Sequence, residues 1–212
     1  MKSLVDIYLF RHGEALNNVN SHLITGRGNE VPLVESGENQ ARLLGLTLAE
    51  TDLIPDLVFS SPANRARRTG ELTLQAMGII TEIVLDERLH EQHTGDWTGH
   101  LAQDIFTDEM VKTIEASGKN FRSPNGESMI DVGERMLEWA NSITPHEGDK
   151  LTVFGFTHGG SIRCLASQIL DWTHAQTYKT KPGNTSVGLF RKLEDGIWEV
   201  PAIGVNAKDL AG

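Results

Sequence analysis

The sequence predicts an α/β fold: a three-layer sandwich with a mainly parallel sheet, helices on both faces of the sheet and a small cap. Two observations support this prediction. Short apolar runs rich in strand-forming residues alternate along the chain with longer stretches of helical periodicity. The 212 residues also contain no internal repeat or linker-like tract, and a chain of this length can bury one sizeable core. We therefore expect residues 1–212 to form a single domain.

The strands are predicted from apolar runs bounded by turn residues. Core strands are expected at residues 5–10, 57–60, 79–85 and 151–156. Two later runs, at residues 185–192 and 197–201, flank Glu194-Asp195-Gly196 and predict a terminal hairpin. Because a hairpin is antiparallel, it would make the otherwise parallel sheet mixed.

The helices are predicted from apolar residues at helical spacing. They are expected at residues 37–50, 63–77, 127–143 and 160–170. Residues 94–124 contain several glycines and only one modest helical stretch, so we interpret them as a cap or lid over the functional site.

The composition excludes several classes of function. A formal net charge of -10 and an isoelectric point near 5.2 argue against binding to nucleic acid or to an anionic membrane, both of which need a basic surface. The single cysteine, Cys164, cannot form an intramolecular disulfide. The apolar start of the chain is interrupted by Asp6 and is too short for a signal peptide or membrane span, so we expect a cytoplasmic protein.

Two histidines follow predicted strands directly. The first strand ends in Arg11-His12-Gly13-Glu14, and His158 follows strand 151–156 and precedes a helix. Ligands bind at the carboxyl ends of strands in open α/β sheets, so both histidines can share one crevice. The N-terminus of the helix after His158 would add backbone donors for an anion.

Two further residues fit an anion-processing site. Arg65 lies in the first turn of the helix entered through Ser60-Ser61-Pro62, and its planar guanidinium can bind two oxygens of a phosphate. Glu91 follows a strand and precedes a turn that is flanked by Gly95 and Gly99, which makes it a candidate acid/base.

Together these pieces resemble the histidine phosphatase superfamily, in the branch that also contains cofactor-dependent phosphoglycerate mutases. The resemblance spans nearly the whole chain, and the shared order of the pieces makes it specific. The matching pieces are Arg11-His12-Gly13-Glu14 with Asn18, residues 33–41 with Gly37 and Gln40, Ser60-Ser61-Pro62 with Arg65, Ala66 and Thr69, Glu91 with Gly95 and Gly99, Pro124 with Gly126-Glu127-Ser128 and Arg135, and His158-Gly159.

The resemblance implies a mechanism. His12 would attack phosphorus in line and form a phosphohistidine, while Arg11, Arg65 and His158 hold the phosphoryl oxygens. Glu91 would act as general acid/base. The resemblance also implies substrate contacts from Asn18 and Gly159, and it implies no metal and no cofactor.

The substrate is predicted less sharply than the reaction. The residues that anchor the phosphoryl group say little about the group attached to it. Arg27 and residues 119–122 could meet a second anionic group, so a sugar bisphosphate or a phosphoglycerate-like ester is one hypothesis. The expected partner is a small phosphorylated molecule, and the oligomeric state stays open.

Three rival interpretations remain. A phosphoglycerate mutase is the nearest, although this chain continues after Glu91 with Gln92-His93-Thr94-Gly95 in place of the Arg, Tyr and Gly pattern that is typical of mutases. A non-catalytic module that binds phosphorylated ligands is disfavoured because the catalytic residues are all present. A metal site at His90 and His93 is disfavoured because their spacing is not that of a metalloprotease helix.

Overall fold

The computed structural model describes residues 3–20, 22–146 and 149–210. Within them lies one six-stranded sheet with the order β3-β2-β4-β1-β5-β6. The strands are β1 (Ser3–Arg11), β2 (Leu57–Ser60), β3 (Val84–Leu85), β4 (Leu151–Thr157), β5 (Val187–Leu193) and β6 (Trp198–Val205). The first four strands are parallel, whereas β5 and β6 form the predicted antiparallel hairpin beside β1. The prediction of a mainly parallel, mixed sheet is confirmed.

The four predicted helices are confirmed within two residues of their expected ends. The described α-helices are α1 (Leu16–Val19), α2 (Glu35–Ala49), α3 (Asn64–Met77), α4 (Ala102–Ile105), α5 (Asp108–Ser117), α6 (Met129–Ser142), α7 (Gly159–Leu170) and α8 (His174–Lys179). Residues 94–124 contain α4, α5 and two short 3-10 turns, Gly95–Trp97 and Gly118–Asn120. No helix within the described part of the chain is long and apolar enough to cross a membrane.

The sheet is covered on both faces, and β1 shows why. Successive side chains of a strand point to opposite faces. Ile7 and Leu9 are buried in one apolar cluster with residues of α6 and α7, including Trp139. Tyr8 and Phe10 belong to a second cluster, together with residues of α2 and α3. A strand that is apolar at consecutive positions therefore requires a helical layer on each side.

The predicted strand at 79–85 is wrong in its extent. Only Val84 and Leu85 pair with β2, at the edge of the sheet. Ile79 and Ile83 pack against the second cluster, and Ile80 is fully exposed. The apolar run serves packing as an irregular segment, which apolar periodicity over so few residues does not distinguish from a strand.

The turn that follows β1 is held by a close contact between two backbones. Gly13 and Gly37 face each other, and a Cβ atom on Gly37 would overlap the carbonyl oxygen of Glu14. The Glu14 carbonyl also accepts a hydrogen bond from Val34 N, directly before α2. The start of α2 therefore fixes the path of the chain immediately after His12.

Replacing Gly37 with Ala is expected to destabilise the protein by about 1–3 kcal/mol or more, because backbone atoms must move to admit the methyl group. The displacement also reaches the turn that contains His12, so any activity that depends on His12 should fall. Urea unfolding measures the first effect and initial rates the second. Gly183→Ala is the matched control, since nothing lies within 4 Å of a Cβ placed there. Equal stability of the two variants would contradict this account.

Candidate active site

A cavity of about 420 Å³ lies at the carboxyl ends of β1 and β4. Most of the residues predicted from the sequence line it: Arg11, His12, Asn18, Arg65, Glu91 and Gly159. The side chains come from elements far apart in the sequence, and the parallel sheet brings them to one edge. The remaining predicted residues, His158 and Arg27, do not line this cavity.

His12 is the buried centre of the site, with 3% of its surface exposed. Its Nδ1 lies 2.7 Å from the carbonyl oxygen of Gly13. A carbonyl only accepts hydrogen bonds, so Nδ1 carries the proton and Nε2 keeps its lone pair. Burial, and then the charges of Arg65 and Arg11, lower the pKa of His12 from 6.5 to about 3. The ring is therefore a neutral, oriented base at physiological pH.

His158 lies behind His12, at the N-terminus of α7. The two rings are edge to face, with centroids 5.2 Å apart. His158 is completely buried, and burial lowers its pKa well below the usual value. Its Nδ1 has no partner among the described residues. A role in holding phosphoryl oxygens stays a prediction for this residue.

A chain of hydrogen bonds runs from His158 to the protein surface. His158 Nε2 lies 2.9 Å from Ser61 Oγ, which lies 3.1 Å from Nδ1 of the buried His90. Nε2 of His90 contacts the exposed carboxylate of Glu87 at 2.8 Å. Burial lowers the pKa of His90, so a neutral His90 donates from Nε2 to Glu87 and accepts from Ser61. This series of hydrogen bonds fixes the orientation of the His158 ring.

Two arginines give the cavity positive charge. Arg65 is 1% exposed, and its terminal nitrogens donate to the carbonyl oxygens of Gly28 and Gly26. Arg11 donates to the carbonyl oxygen of Pro182 at 2.8 Å. Burial lowers the pKa of both guanidinium groups, yet arginine stays charged at any working pH. These fixed positive charges attract an anion locally, although the net charge of the whole chain is negative.

Glu91 faces the arginines across the cavity. Its Oε1 accepts from Gln92 N and its Oε2 from Gly160 N, at 2.8 and 3.1 Å. Ser161 Oγ donates to the carbonyl of His90, which ties this segment to α7. The carboxylate is therefore held in place beside the N-terminus of α7, where backbone donors point at negative charge.

The residues expected to bind substrate differ in their placement. Asn18 lines the cavity, and its Oδ1 accepts from Ala15 N and Asn184 Nδ2. Gly159 also lines it, beside Arg11. Arg27 instead forms an ion pair with Glu127 at 2.8 Å. Its proposed contact with a second anionic group would require that pair to break.

The two basic side chains of residues 119–122 also form ion pairs outside the cavity. Lys119 lies 3.9 Å from Asp171, and Arg122 lies 2.6 Å from Asp131. The cations that do line the cavity beside Arg11 and Arg65 are Arg163 and Lys181. Arg163 follows Gly159 by one helical turn, so helical spacing from Gly159 could have identified it. Lys181 lies in an irregular segment that carries no such signal.

His90 and His93 do not converge on a common point. His93 Nδ1 contacts the carbonyl oxygen of Asn125 at 3.0 Å, whereas His90 contacts Ser61 and Glu87. Across the described residues, no group of three histidine, cysteine or acidic side chains is arranged to hold a metal ion.

Comparison with known proteins shows the family of this chain. Residues 7–204 match the sequence model of the histidine phosphatase superfamily (branch 1). The chain is 32% identical over 170 residues to "Probable phosphoglycerate mutase GpmB" of Serratia proteamaculans, covering 79% of this chain and 75% of that protein. Bacillus stearothermophilus YhfR superposes with a TM-score of 0.78 and 30% identity, over 95% of this chain and 97% of that one. The mycobacterial glucosyl-3-phosphoglycerate phosphatase gives a TM-score of 0.76 and 25% identity, over 94% and 98%. The chain belongs to the histidine phosphatase superfamily, branch 1.

Proposed function

We propose that this protein is a phosphatase that hydrolyses small phosphomonoesters through a phosphohistidine on His12. The observation that carries the proposal is the state of the His12 ring. Nδ1 is tied to the Gly13 carbonyl, and no hydrogen bond joins Nε2 to another described residue. A neutral imidazole with a free Nε2 lone pair, beside two buried arginines, is suited to attack on an anionic phosphoryl group.

In the first step, Nε2 of His12 forms a bond to phosphorus as the bond to the ester oxygen breaks. Arg11 and Arg65 balance the charge of the transferring group's equatorial oxygens. Glu91, in its protonated form, gives its proton to the departing alkoxide. The products of this step are a free alcohol and a phosphohistidine.

In the second step, the Glu91 carboxylate takes a proton from water, and the resulting oxygen attacks phosphorus. The bond between phosphorus and His12 breaks, and inorganic phosphate leaves. Glu91 regains its proton and the His12 ring regains its lone pair. Both steps use the same carboxylate, which is held by Gln92 N and Gly160 N in this structure.

The mutase alternative differs in the fate of the phosphohistidine. A mutase returns the phosphoryl group to a reoriented substrate instead of to water. The mutase name of the Serratia relative favours this reading. We favour hydrolysis because the segment after Glu91, Gln92-His93-Thr94-Gly95, departs from the mutase pattern. The name of the mycobacterial phosphatase supports the same choice.

Three further parts of the proposal follow from the sequence. The partner is a small phosphorylated substrate and not a nucleic acid or a membrane. Residues 1–212 act as one catalytic domain, with residues 94–124 as its cap. We also propose a cytoplasmic location, with which the single buried thiol of Cys164 is compatible.

The first test is a turnover assay in EDTA with a panel of phosphomonoesters, run beside an assay for interconversion of 2- and 3-phosphoglycerate. We expect phosphate release by the wild type and a loss of more than about 1,000-fold in His12→Ala, because the nucleophile is gone. His146→Ala, at an exposed histidine, is the matched control. Interconversion without release of phosphate would establish a mutase instead. No activity in either assay would favour a non-catalytic binding module.

Glu91→Gln tests the acid/base role through the leaving group. We expect a loss of about 100-fold or more in the rate constant of the phosphorylation step with ethyl phosphate, whose alkoxide needs a proton. The loss should be smaller with 4-nitrophenyl phosphate, because nitrophenolate leaves without one. Rapid-quench kinetics with each ester measure the phosphorylation step. Equal losses with both esters would assign Glu91 a purely structural role.

The lowered pKa of His12 also predicts how stability depends on pH. In the unfolded chain the imidazole of His12 takes up a proton below about pH 6.5. In the folded protein it does so only near pH 3. The free energy of unfolding should therefore fall with decreasing pH in this window, by up to about 1.4 kcal/mol per pH unit for this group. Urea unfolding of ligand-free wild type, His12→Asn and the control His146→Asn measures it. An unchanged pH dependence in His12→Asn would refute the assignment.

A further inference from the structure

A second pocket, which we call the apolar pocket, adjoins the candidate active site. It encloses about 290 Å³. A cavity of roughly 150 Å³ is enough to bind benzene, so this pocket has room for an aromatic ring with substituents. The side chains that give it its character are Trp97, Phe106, Val111, Ile114, Phe121 and Tyr178.

The apolar pocket lies next to the catalytic cavity and shares part of its wall. Gln92, Thr94 and Arg163 line both spaces. Gln92 directly follows the proposed acid/base Glu91, so the shared wall begins where the ester oxygen of a substrate would leave. A phosphomonoester bound with its phosphoryl group at His12 can therefore extend its alcohol part past Gln92 into this pocket.

The lining indicates the chemistry of that alcohol part. Trp97 is held between Phe106 and Phe121, with ring centroids 5.7 and 5.5 Å apart. Glu115 is the sole carboxylate among the described residues that line the pocket. A carboxylate or second phosphate at the far end of the substrate would lose its hydration against apolar walls and face Glu115. The pocket therefore favours an uncharged apolar end.

Arg163 marks the boundary between the two spaces. Its guanidinium lies over the ring of Tyr178, with its carbon 5.8 Å from the ring centroid. Its buried Nε has no hydrogen-bond partner among the described residues. The Arg163 side chain lines both spaces together with Gln92 and Thr94, so the wall that the two spaces share is polar. The preferred alcohol thus combines a polar part near the phosphate with an apolar end.

We propose that the apolar pocket is the leaving-group subsite, and that the preferred substrates are phosphomonoesters of alcohols ending in an uncharged apolar group of about aromatic-ring size. This inference rests on the proposed phosphatase function. It differs from the hypothesis of a second anionic group bound by Arg27 and residues 119–122. Those cations are paired with carboxylates, whereas the apolar pocket shares lining residues with the cavity that contains His12.

The test compares 2-(2-naphthyl)ethyl phosphate, ethyl phosphate and 3-phosphoglycerate. The first two are both primary alkyl esters, so they differ in size and apolarity far more than in leaving-group chemistry. The variant is Val111→Asp, on α5, where a residue 39% exposed becomes charged with little strain on the fold. The control is Leu43→Asp on α2, a residue that is 63% exposed and lines neither space.

We expect kcat/KM for the naphthyl ester to exceed that for ethyl phosphate by about tenfold or more, mainly through a lower KM. Val111→Asp should remove about tenfold of this preference and leave ethyl phosphate within about twofold of wild type. Leu43→Asp should change neither. Equal use of the three esters by wild type, or a uniform loss in Val111→Asp, would overturn the subsite.

Binding of nonhydrolysable phosphonates separates this inference from the proposed function. Calorimetry with 2-(2-naphthyl)ethylphosphonate and ethylphosphonate needs no turnover. Tighter binding of the naphthyl compound to wild type than to Val111→Asp supports the subsite even if no ester is hydrolysed. In that case the phosphatase proposal fails by itself. Equal binding of both phosphonates overturns the subsite whatever the turnover assay gives.

Discussion

The parallel pairing of β1 with β4 is the constraint on which the site depends. Arg11 pairs with Thr157 at the last position of the two strands, and a histidine follows each of them directly, so the two rings are neighbours. The end of β4 also holds the segment that precedes Glu91, because Thr157 Oγ1 donates a hydrogen bond to the carbonyl of Leu89 at 2.6 Å. Backbone pairing in the sheet, rather than contacts between the catalytic side chains, sets the distances that the proposed chemistry needs.

That arrangement concentrates groups that are costly to bury. Two guanidinium groups and two imidazoles lie within or behind one cavity, and their mutual repulsion adds to the loss of hydration. The imidazoles respond by staying neutral, as the lowered pKa values of His12 and His158 express. The arginines cannot respond in this way. A bound phosphoryl group would offset the arginine charges. Those charges therefore favour anion binding and add to the effect of burial, which is the main reason that His12 stays neutral.

Much of the fold could be predicted because its signals are local. Apolar runs predict β1 and β4, and helical spacing predicts α2, α3, α6 and α7. Because His12 and His158 directly follow two parallel strands, the sequence also predicts that they lie at one edge of the sheet. The prediction of a strand over 79–85 is wrong in its extent because Ile79 and Ile83 pack against the core without pairing in the sheet. Packing of an irregular segment leaves no periodic signature in the sequence.

The limits at the site have a different cause. Arg27 looked available for substrate because a lone basic residue in a glycine-flanked loop gives no hint of its ion pair with Glu127. The apolar pocket cannot be predicted from the sequence because its walls come from α5, α8 and the turn at Trp97, which are separated in the chain. Proximity of that kind is a property of the tertiary structure and has no counterpart in short-range spacing.

The hydrogen-bond chain from Glu87 to His158 adds a condition on how the second histidine can act. With His90 neutral and donating to Glu87, Ser61 donates to His90, and Nε2 of His158 must donate to Ser61. Neutral His158 then has only a lone pair at Nδ1. It can donate to a phosphoryl oxygen from Nδ1 only after taking up a proton, which burial and then the charge of Arg65 oppose in this structure. The role that the family resemblance implies for His158 would therefore require proton uptake at a buried ring when phosphate binds.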